Sequence, residues 1–440
     1  MNNSGQMLPR AKGMPSRTII LAASALTATG TGCIYMWSIF NKPLMDAFGF
    51  TTSEVSMAYS LFMLATCFSS VLAGWLQRRM QPRFIVLFGG MIFGIGWLGS
   101  GFADNLPMLY LFFGGFAGAG NGFLYNTIVA VATKWYPDKR GLANGVCIGA
   151  IGLGPMVFSL AGNCLIEAFD VQMAFRIVGL IWIAVYLIFS WILYVPPAGW
   201  TPQSLNANQH GAHDEQSGEG DASVQEKAAS FEVNMSSSQM VKQPLYYFLF
   251  LTLMAASTSG LMVTGHASNI GQELASLTAS EGAIMVSVMA FGSFLGRFGF
   301  GFLSDFIGRY NALIIALALN AVVMLLLLGQ AHTFITFLLA ISVVGACFGG
   351  SLAVVPAIVG DAFGSADFGQ NYSFVYPGYT VAAFVGPMAA SYAVEAAGTY
   401  VLSFYVAGAI SIVGIVVVFI AKKLAAKLKA ETCAQAASSL

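Results

Sequence analysis

Twelve apolar stretches, each of about twenty residues or more, constrain this chain more than any other feature. They fall at approximately 18–44, 53–77, 84–102, 107–133, 140–166, 173–195, 244–268, 280–303, 311–329, 333–360, 370–394 and 399–421, separated by charged or Gly/Pro-rich breaks. A helix of that length covers the roughly 30 Å hydrocarbon core of a bilayer, so each stretch predicts a membrane span. The composition agrees. Only 9% of the residues are charged and 57% are hydrophobic, whereas a water-facing domain carries about 25% charged residues. The fold class expected is therefore all-α integral membrane with twelve transmembrane helices.

An even number of spans puts both termini on one side, and the basic residues say which. The segments expected on the inner side hold Arg10, Lys12, Arg17, Arg78, Arg79, Arg83, Lys134, Lys139, Arg140, Lys227, Lys242, Arg309, Lys422, Lys423, Lys427 and Lys429. The outer loops hold Lys42 and Arg176 alone, and Arg297 lies inside a span. Lysine and arginine accumulate in cytoplasmic loops, so both termini are expected in the cytoplasm of a plasma (bacterial inner) membrane protein. The domain plan is a cytoplasmic N-terminus at 1–17, a six-helix bundle at 18–196 and a cytoplasmic linker at 197–243. A second six-helix bundle at 244–421 and a basic cytoplasmic tail at 422–440 complete it. The linker is rich in Ser, Gln, Asn, Gly and acidic residues, too polar to build a core. His210 and His213 within it are solvated linker residues rather than metal ligands.

Several function classes drop out. No basic cluster interleaved with aromatics suggests nucleic acid. Cys33, Cys67, Cys147, Cys164 and Cys347 lie in apolar runs and Cys433 in the tail, with no tight spacing to suggest a disulfide framework or a metal site. The start, from Arg10 to Arg17 and into an apolar run, imitates a signal peptide. The run continues to about Leu44 without a small-residue cleavage site, so it reads as a retained first helix.

The two halves look related. Gly74-Trp75-Leu76 closes span two before Arg78, Arg79 and Arg83, and Gly301-Phe302-Leu303 closes span eight before Asp305 and Arg309. Gly154-Pro155 interrupts span five, and Gly386-Pro387 interrupts span eleven at a similar offset. Repeated halves with helices broken at matching positions are a transporter signature, with the substrate site near mid-membrane between them.

The stretch from Gly301 to Arg309, Gly-Phe-Leu-Ser-Asp-Phe-Ile-Gly-Arg, resembles the cytoplasmic loop signature of the major facilitator superfamily, whose fold is two pseudo-symmetric six-helix bundles. The first-half copy departs from it, with Arg78 where an acid is usual and Gln81 where glycine is usual. The stretch from Trp135 to Gly145, with the Gly-Arg pair in span eight and Asn371-Tyr372 opening span eleven, resembles the oxalate:formate antiporter family, itself related to the monocarboxylate transporters. The resemblance spans nearly all the chain except the termini and the linker.

Arg297 is the one charge deep within a span, some six residues or about 9 Å from the expected inner end. A charge at the bilayer centre costs at least about 2.5–3.5 kcal/mol, which makes it a functional candidate. Structural pairing or snorkelling is the alternative, but no Asp or Glu lies deep in any span to pair with it. A permanent guanidinium suits a carboxylate, which it holds bidentately, and the resemblance implies this same role. Ser293, one turn earlier on the same face, is a hydrogen-bonding candidate or a small packing residue. The resemblance implies aromatic site residues at Tyr35 and Tyr125; ordinary packing or interfacial anchoring is the alternative. Tyr376 and Tyr379 are spaced to share a cavity-facing side. The oxalate-exchanging members carry a lysine where Tyr379 stands. One arginine balances a monoanion and would leave half of a buried dicarboxylate unpaired, so a lactate- or pyruvate-like monocarboxylate is favoured over oxalate.

His266 and Lys42, near the expected outer ends of spans seven and one, are candidates for proton coupling or simply satisfied interfacial residues. Histidine titrates in the right range. The related monocarboxylate carriers use a first-span lysine, and the equivalent position here holds Ile39. Asp305 and Arg309 are the gating candidates. The expected function is secondary transport of a small monocarboxylate by alternating access, proton-coupled, by a monomer without cofactor. Anion exchange is the alternative within transport, and a membrane sensor on a transporter fold the alternative outside it. An enzyme would need grouped acids, bases, nucleophiles or metal ligands in the spans, and none are visible.

Overall fold

The computed structural model describes residues 16–77, 79–136, 140–196, 235–364 and 368–438. Arg10, Lys12, Arg78, Pro137, Asp138 and Lys139, and most of the linker with His210, His213 and Lys227, lie outside the described residues, as does the Cys433 side chain. Among the described residues there are helices and no strands.

Among the described residues the twelve long helices are α1 (17–48), α2 (Thr52–Leu76), α3 (Pro82–Ser100), α4 (106–135), α5 (Arg140–Ala168) and α6 (Val171–Phe189), then α7 (Pro244–Leu274), α8 (Ala279–Ile307), α9 (309–330), α10 (Phe334–Phe363), α11 (368–397) and α12 (Val401–Ser438), with one short helical turn at Ser237–Met240 before α7. Eleven of them are individually long and apolar enough to cross a membrane. The other is α4, which runs from Leu106 to Trp135 but is interrupted by a π-helical stretch at Tyr110–Ala117. Twelve spans thus hold. Several run past their expected ends: α7 reaches Leu274, α8 reaches Ile307, and α12 continues as helix through the basic tail to Ser438.

Most of the described Arg and Lys residues gather at one end of the bundle, here called the basic face, while Lys42 and Arg176 lie toward the other. Most helices that start at the opposite face carry a side-chain cap. Thr51 and Thr278 form capping boxes with Glu54 and Glu281, Asn105 accepts from Met108 N–H at 3.0 Å, and Asp170 from Met173 N–H at 2.6 Å. These caps satisfy N–H groups that the helix itself leaves orphaned. Two helices that start at the basic face begin instead with proline, Pro82 and Pro244, whose missing N–H costs nothing there.

In lipid, helices gain little from burying apolar surface and associate by close packing, which small residues permit. The α8–α10 pair shows this reciprocally. A Cβ on Gly292 or Gly296 would meet the Ser342 or Ala346 carbonyl oxygen at 2.5 or 2.0 Å, and one on Gly345 or Gly349 would meet that of Met289 or Ser293 at 2.3 or 1.9 Å. This contact fixes the part of α8 that carries Ser293 and Arg297.

The N-terminal bundle is locked differently, by aromatic rings. Trp37 stacks on Phe113 at 4.0 Å and Phe40 on Phe175 at 4.5 Å, with Trp97 edge-on to both Phe40 and Phe113. Just before Trp37, α1 tightens into a 3₁₀ turn at Gly32–Met36 that carries Tyr35. There a Cβ on Gly32 would lie 2.1 Å from the Ile151 carbonyl oxygen of α5. That is the carbonyl left without its usual helical donor by Pro155.

The two bundles meet along α1–α7, α2–α11 and α5–α8. The hydrogen bonds described between them gather toward the opposite face: Asn41 to the Gly265 carbonyl, Ser53 N–H to Glu395, Ser159 with Ser287, and Ser391 to Ser56. The seam is closed at that face. A substitution Gly349→Ala drives a methyl into the Ser293 carbonyl; we expect a loss of about 1–3 kcal/mol of stability, read as a lowered melting temperature.

Candidate functional site

At the deep end of this seam lies a small cavity lined by Tyr35 of α1, Gly152 and Pro155 of α5, Thr264 and Ala267 of α7, Val286, Met289, Ala290, Ser293 and Arg297 of α8, and Phe348 of α10. Both bundles contribute. Apart from Arg297 the walls carry no charge.

Arg297 reaches across from α8 to α5, where its Nη1 donates to the Ile148 carbonyl at 2.8 Å. Its Nε is buried without a partner. Among the described residues it forms no ion pair with an acid. A guanidinium has five N–H donors, so most of its capacity is left to whatever enters the cavity. With α8 ending at Ile307, Arg297 stands ten residues inside the helix end, about 15 Å along it. Gly152 makes the arrangement possible: a Cβ there would lie 2.6 Å from Nη1.

The tyrosines form a patch beside it. The Tyr35 and Tyr379 hydroxyls are hydrogen-bonded to each other at 2.8 Å, joining α1 to α11 across the seam. Tyr379 stacks on Tyr376 at 5.3 Å, and Tyr376 meets Tyr372 edge-on at 6.1 Å. Tyr125 of α4 lies within electrostatic reach of Arg297 and Tyr35. One hydroxyl hydrogen closes the Tyr35–Tyr379 bond, and the other remains to be offered.

Of the residues singled out in the sequence, Arg297, Ser293 and Tyr35 line one cavity, and Tyr379, Tyr376 and Tyr125 adjoin it. Ser293 is buried against Gly349 of α10, its carbonyl and hydroxyl both close to that glycine, so it packs and lines the wall at once. Lys42 and His266 are elsewhere. Lys42 donates to Gln272 Oε1 at 3.3 Å, in a polar vestibule toward the opposite face that Asp46 and Glu167 also line. His266 is fully buried, two turns inside the end of α7 rather than at an interface. Its Nε2 lies 3.1 Å from Ser56 Oγ and 3.1 Å from the Pro387 carbonyl, and its Nδ1 lies 3.2 Å from the Tyr400 hydroxyl.

Asp305 and Arg309 sit at the basic face, 3.8 Å apart. Arg309 also pairs with Asp361, in the last turn of α10. These contacts tie the basic ends of α8, α9 and α10 within the C-terminal bundle. Asp361, Gly152 and Phe348 escaped the sequence reading. An acid just past an apolar span was a usable signal for Asp361, whereas Gly152 and Phe348 are ordinary residues whose role exists only in three dimensions.

A pair of six-helix bundles enclosing a mid-membrane cavity is a transporter's architecture, and the Major Facilitator Superfamily model matches residues 20–270 and 245–436. The chain belongs to that superfamily. This major facilitator protein is 28% identical over 366 residues to the uncharacterised MFS-type transporter YhjX of Escherichia coli (strain K12), covering 83% of this chain and 85% of that one. It is 26% identical over 374 residues to the oxalate:formate antiporter of Oxalobacter formigenes, covering 83% and 82%. It is 23% identical over 398 residues to monocarboxylate transporter 12 of Xenopus laevis, covering 87% and 82%. Among solved structures, a bacterial homologue of the human lysosomal transporter Spinster, inward-facing and unoccupied, superposes with a TM-score of 0.70 over 94% of this chain and 98% of that one, at 18% identity. The chain is thus a membrane transporter related to oxalate:formate antiporters and monocarboxylate transporters.

The close fit at Gly152 makes a test of the site. Gly152→Ala, placed against Nη1, should displace the guanidinium and weaken binding of an anion in this cavity about ten-fold, the equivalent of about 1.4 kcal/mol. Titration of purified variant and parent checks it.

Proposed function

We propose that this transporter carries a small, lactate- or pyruvate-like monocarboxylate by alternating access, with Arg297 as the residue that binds the carboxylate. The observation that carries the reading is the Arg297 guanidinium: deep in the membrane, held to the protein by one backbone carbonyl, and unmatched by any acid among the described residues. A half-buried cation without a counter-ion is costly, and an entering carboxylate supplies the missing charge. One positive charge and an otherwise neutral wall favour a monoanion. The Tyr35 and Tyr379 hydroxyls add a neutral donor, and Met289, Ala290 and Phe348 suit a short apolar tail.

Both termini are cytoplasmic in this reading, because lysine and arginine concentrate at the basic face. The cytoplasmic linker joins two bundles of a protein that works as a monomer in the plasma membrane. The conformation described, closed at the opposite face, is then inward-facing. Asp305 and Arg309, with Asp361, steady the cytoplasmic ends of α8–α10 while the bundles rock. Proton coupling completes the proposal. Exchange of one anion for another is the second reading, favoured by the absence of a carboxylic acid from the Arg297 cavity. Uptake of labelled lactate into proteoliposomes with and without a pH gradient separates the two.

Arg297→Lys keeps the charge but loses the planar fork. Binding of lactate and pyruvate should weaken ten- to a hundred-fold or more, since a charge-assisted hydrogen bond is worth roughly 1.5–3 kcal/mol, while the protein stays folded. Arg297→Ala should show no rise in melting temperature on adding substrate. A folded Arg297→Ala protein that binds lactate normally would remove Arg297 from the site.

Charge balance has its own test. Tyr379→Lys, placing a second cation beside the cavity, should raise the preference for oxalate over lactate in competitive uptake. An unchanged ratio in a folded, transporting variant would undo the argument for a monoanion.

A further inference from the structure

His266 is a buried imidazole at a junction of both bundles. It belongs to α7, its Nε2 faces Ser56 of α2 and Pro387 and Ser391 of α11, and its Nδ1 faces Tyr400 at the start of α12. The Pro387 carbonyl favours one neutral tautomer. The Pro387 oxygen is a carbonyl and only accepts, so the nitrogen 3.1 Å from it carries the hydrogen. Nδ1 then accepts from the Tyr400 hydroxyl at 3.2 Å. In this neutral form both nitrogens are satisfied and the ring holds no charge.

A second proton has a place to go. On Nδ1 it would face the Tyr400 oxygen, and the hydroxyl must then point its own hydrogen elsewhere. The Asn269 amide adjoins that hydroxyl, and Asn269 Oδ1 is buried without a hydrogen-bond partner. An amide turned about its axis exchanges a donor for an acceptor. So when His266 gains a proton, Tyr400 changes from donating to His266 to donating to Asn269, and every hydrogen keeps an acceptor. One turn beyond Asn269, the exposed Glu273 accepts from the Tyr400 backbone N–H at 3.1 Å, placing a carboxylate between this cluster and the opposite face. The other charged groups on the surrounding elements are committed elsewhere. Glu54 of α2 caps its own helix and Glu395 of α11 accepts from Ser53 N–H, while Lys42 of α1 donates to Gln272.

From this arrangement we infer that His266 is the proton-binding site of the transport cycle, loaded from the opposite face past Glu273 and Tyr400. The proton sits on the joint that closes the seam. Ser391 links His266 to Ser56 through a 2.6 Å hydrogen bond between the two hydroxyls, so separating α2 from α11 takes Ser56 out of the imidazole's shell and opens it to water. Closing the seam restores the shell around whichever charge state the ring then has. Proton occupancy and closure at this face are one event. The inference rests on the proton-coupled reading above and adds the residue and the path.

The test uses the full chain in proteoliposomes with labelled lactate. In the parent protein an inwardly directed proton gradient should drive accumulation. His266→Gln should abolish that accumulation while retaining counterflow of labelled against unlabelled lactate, because exchange moves no net proton. Tyr400→Phe, which keeps the ring and removes the hydroxyl that accommodates the protonated form, should still accumulate lactate, but with a midpoint at least three-fold higher in proton concentration. Gradient-driven accumulation by His266→Gln at the parent's level overturns the assignment. If His266→Gln does not fold, an unmoved midpoint in Tyr400→Phe overturns it equally. A parent protein that catalyses counterflow but ignores the gradient overturns the proton-coupled reading itself, and this inference with it.

Discussion

Close approach of backbone to backbone is the contact on which the rest of this molecule depends. Lipid chains are as apolar as leucine, so a helix gains little by turning an apolar face inward, and packing has to supply the difference. Where α8 and α10 interlock through Gly292, Gly296, Gly345 and Gly349, the two helices behave as one element. Ser293 and Arg297 are built into that element, so the guanidinium starts from a rigid base. On the other side of the cavity, α1 and α5 come together through Gly32 and the carbonyl that Pro155 leaves free. The cavity is therefore bounded by two stiff pairs, one in each bundle, and its width depends on how the bundles sit against each other.

Such a frame makes the Arg297–Ile148 hydrogen bond more than an anchor. The donor belongs to the C-terminal bundle and the acceptor to the N-terminal one. A ligand that engages the same guanidinium acts directly on a contact between the moving parts. Tyr35 and Tyr379 repeat the pattern with two hydroxyls. On the proposed function, the groups that recognise the substrate and the groups that hold the bundles together are the same groups, a direct way for binding energy to reach a conformational equilibrium.

Much of this was legible in the sequence, and for a physical reason. The bilayer forces long apolar helices, so the twelve spans could be read from length alone, and a deep unpaired arginine stands out because its cost is high. Helix ends were less legible: α7, α8 and α12 run on where polar residues begin, since a helix does not stop at the edge of the hydrocarbon. That is why His266 read as interfacial and proved to be buried. Gly152 and the Tyr400–Asn269 pair were not legible, because each matters only through a neighbour far away in the chain. The symmetry of the Gly-Pro pairs is visible in the sequence, but what Pro155 does, freeing a carbonyl where α1 packs, exists only in three dimensions.

The π-helical stretch at Tyr110–Ala117 in α4 has a consequence for ancestry. A π turn takes up roughly one more residue than an α turn over the same length, so it accommodates an insertion without lengthening the helix. Everything after it on α4, Asn121 and Tyr125 included, is rotated by about 100° relative to an uninterrupted helix with the same beginning. A descendant that lost one residue here would keep the span and the fold but turn a different side chain toward Arg297. Kinship across α4 therefore has to be judged separately before and after this turn, and a single-codon deletion is a short evolutionary route to a new ligand.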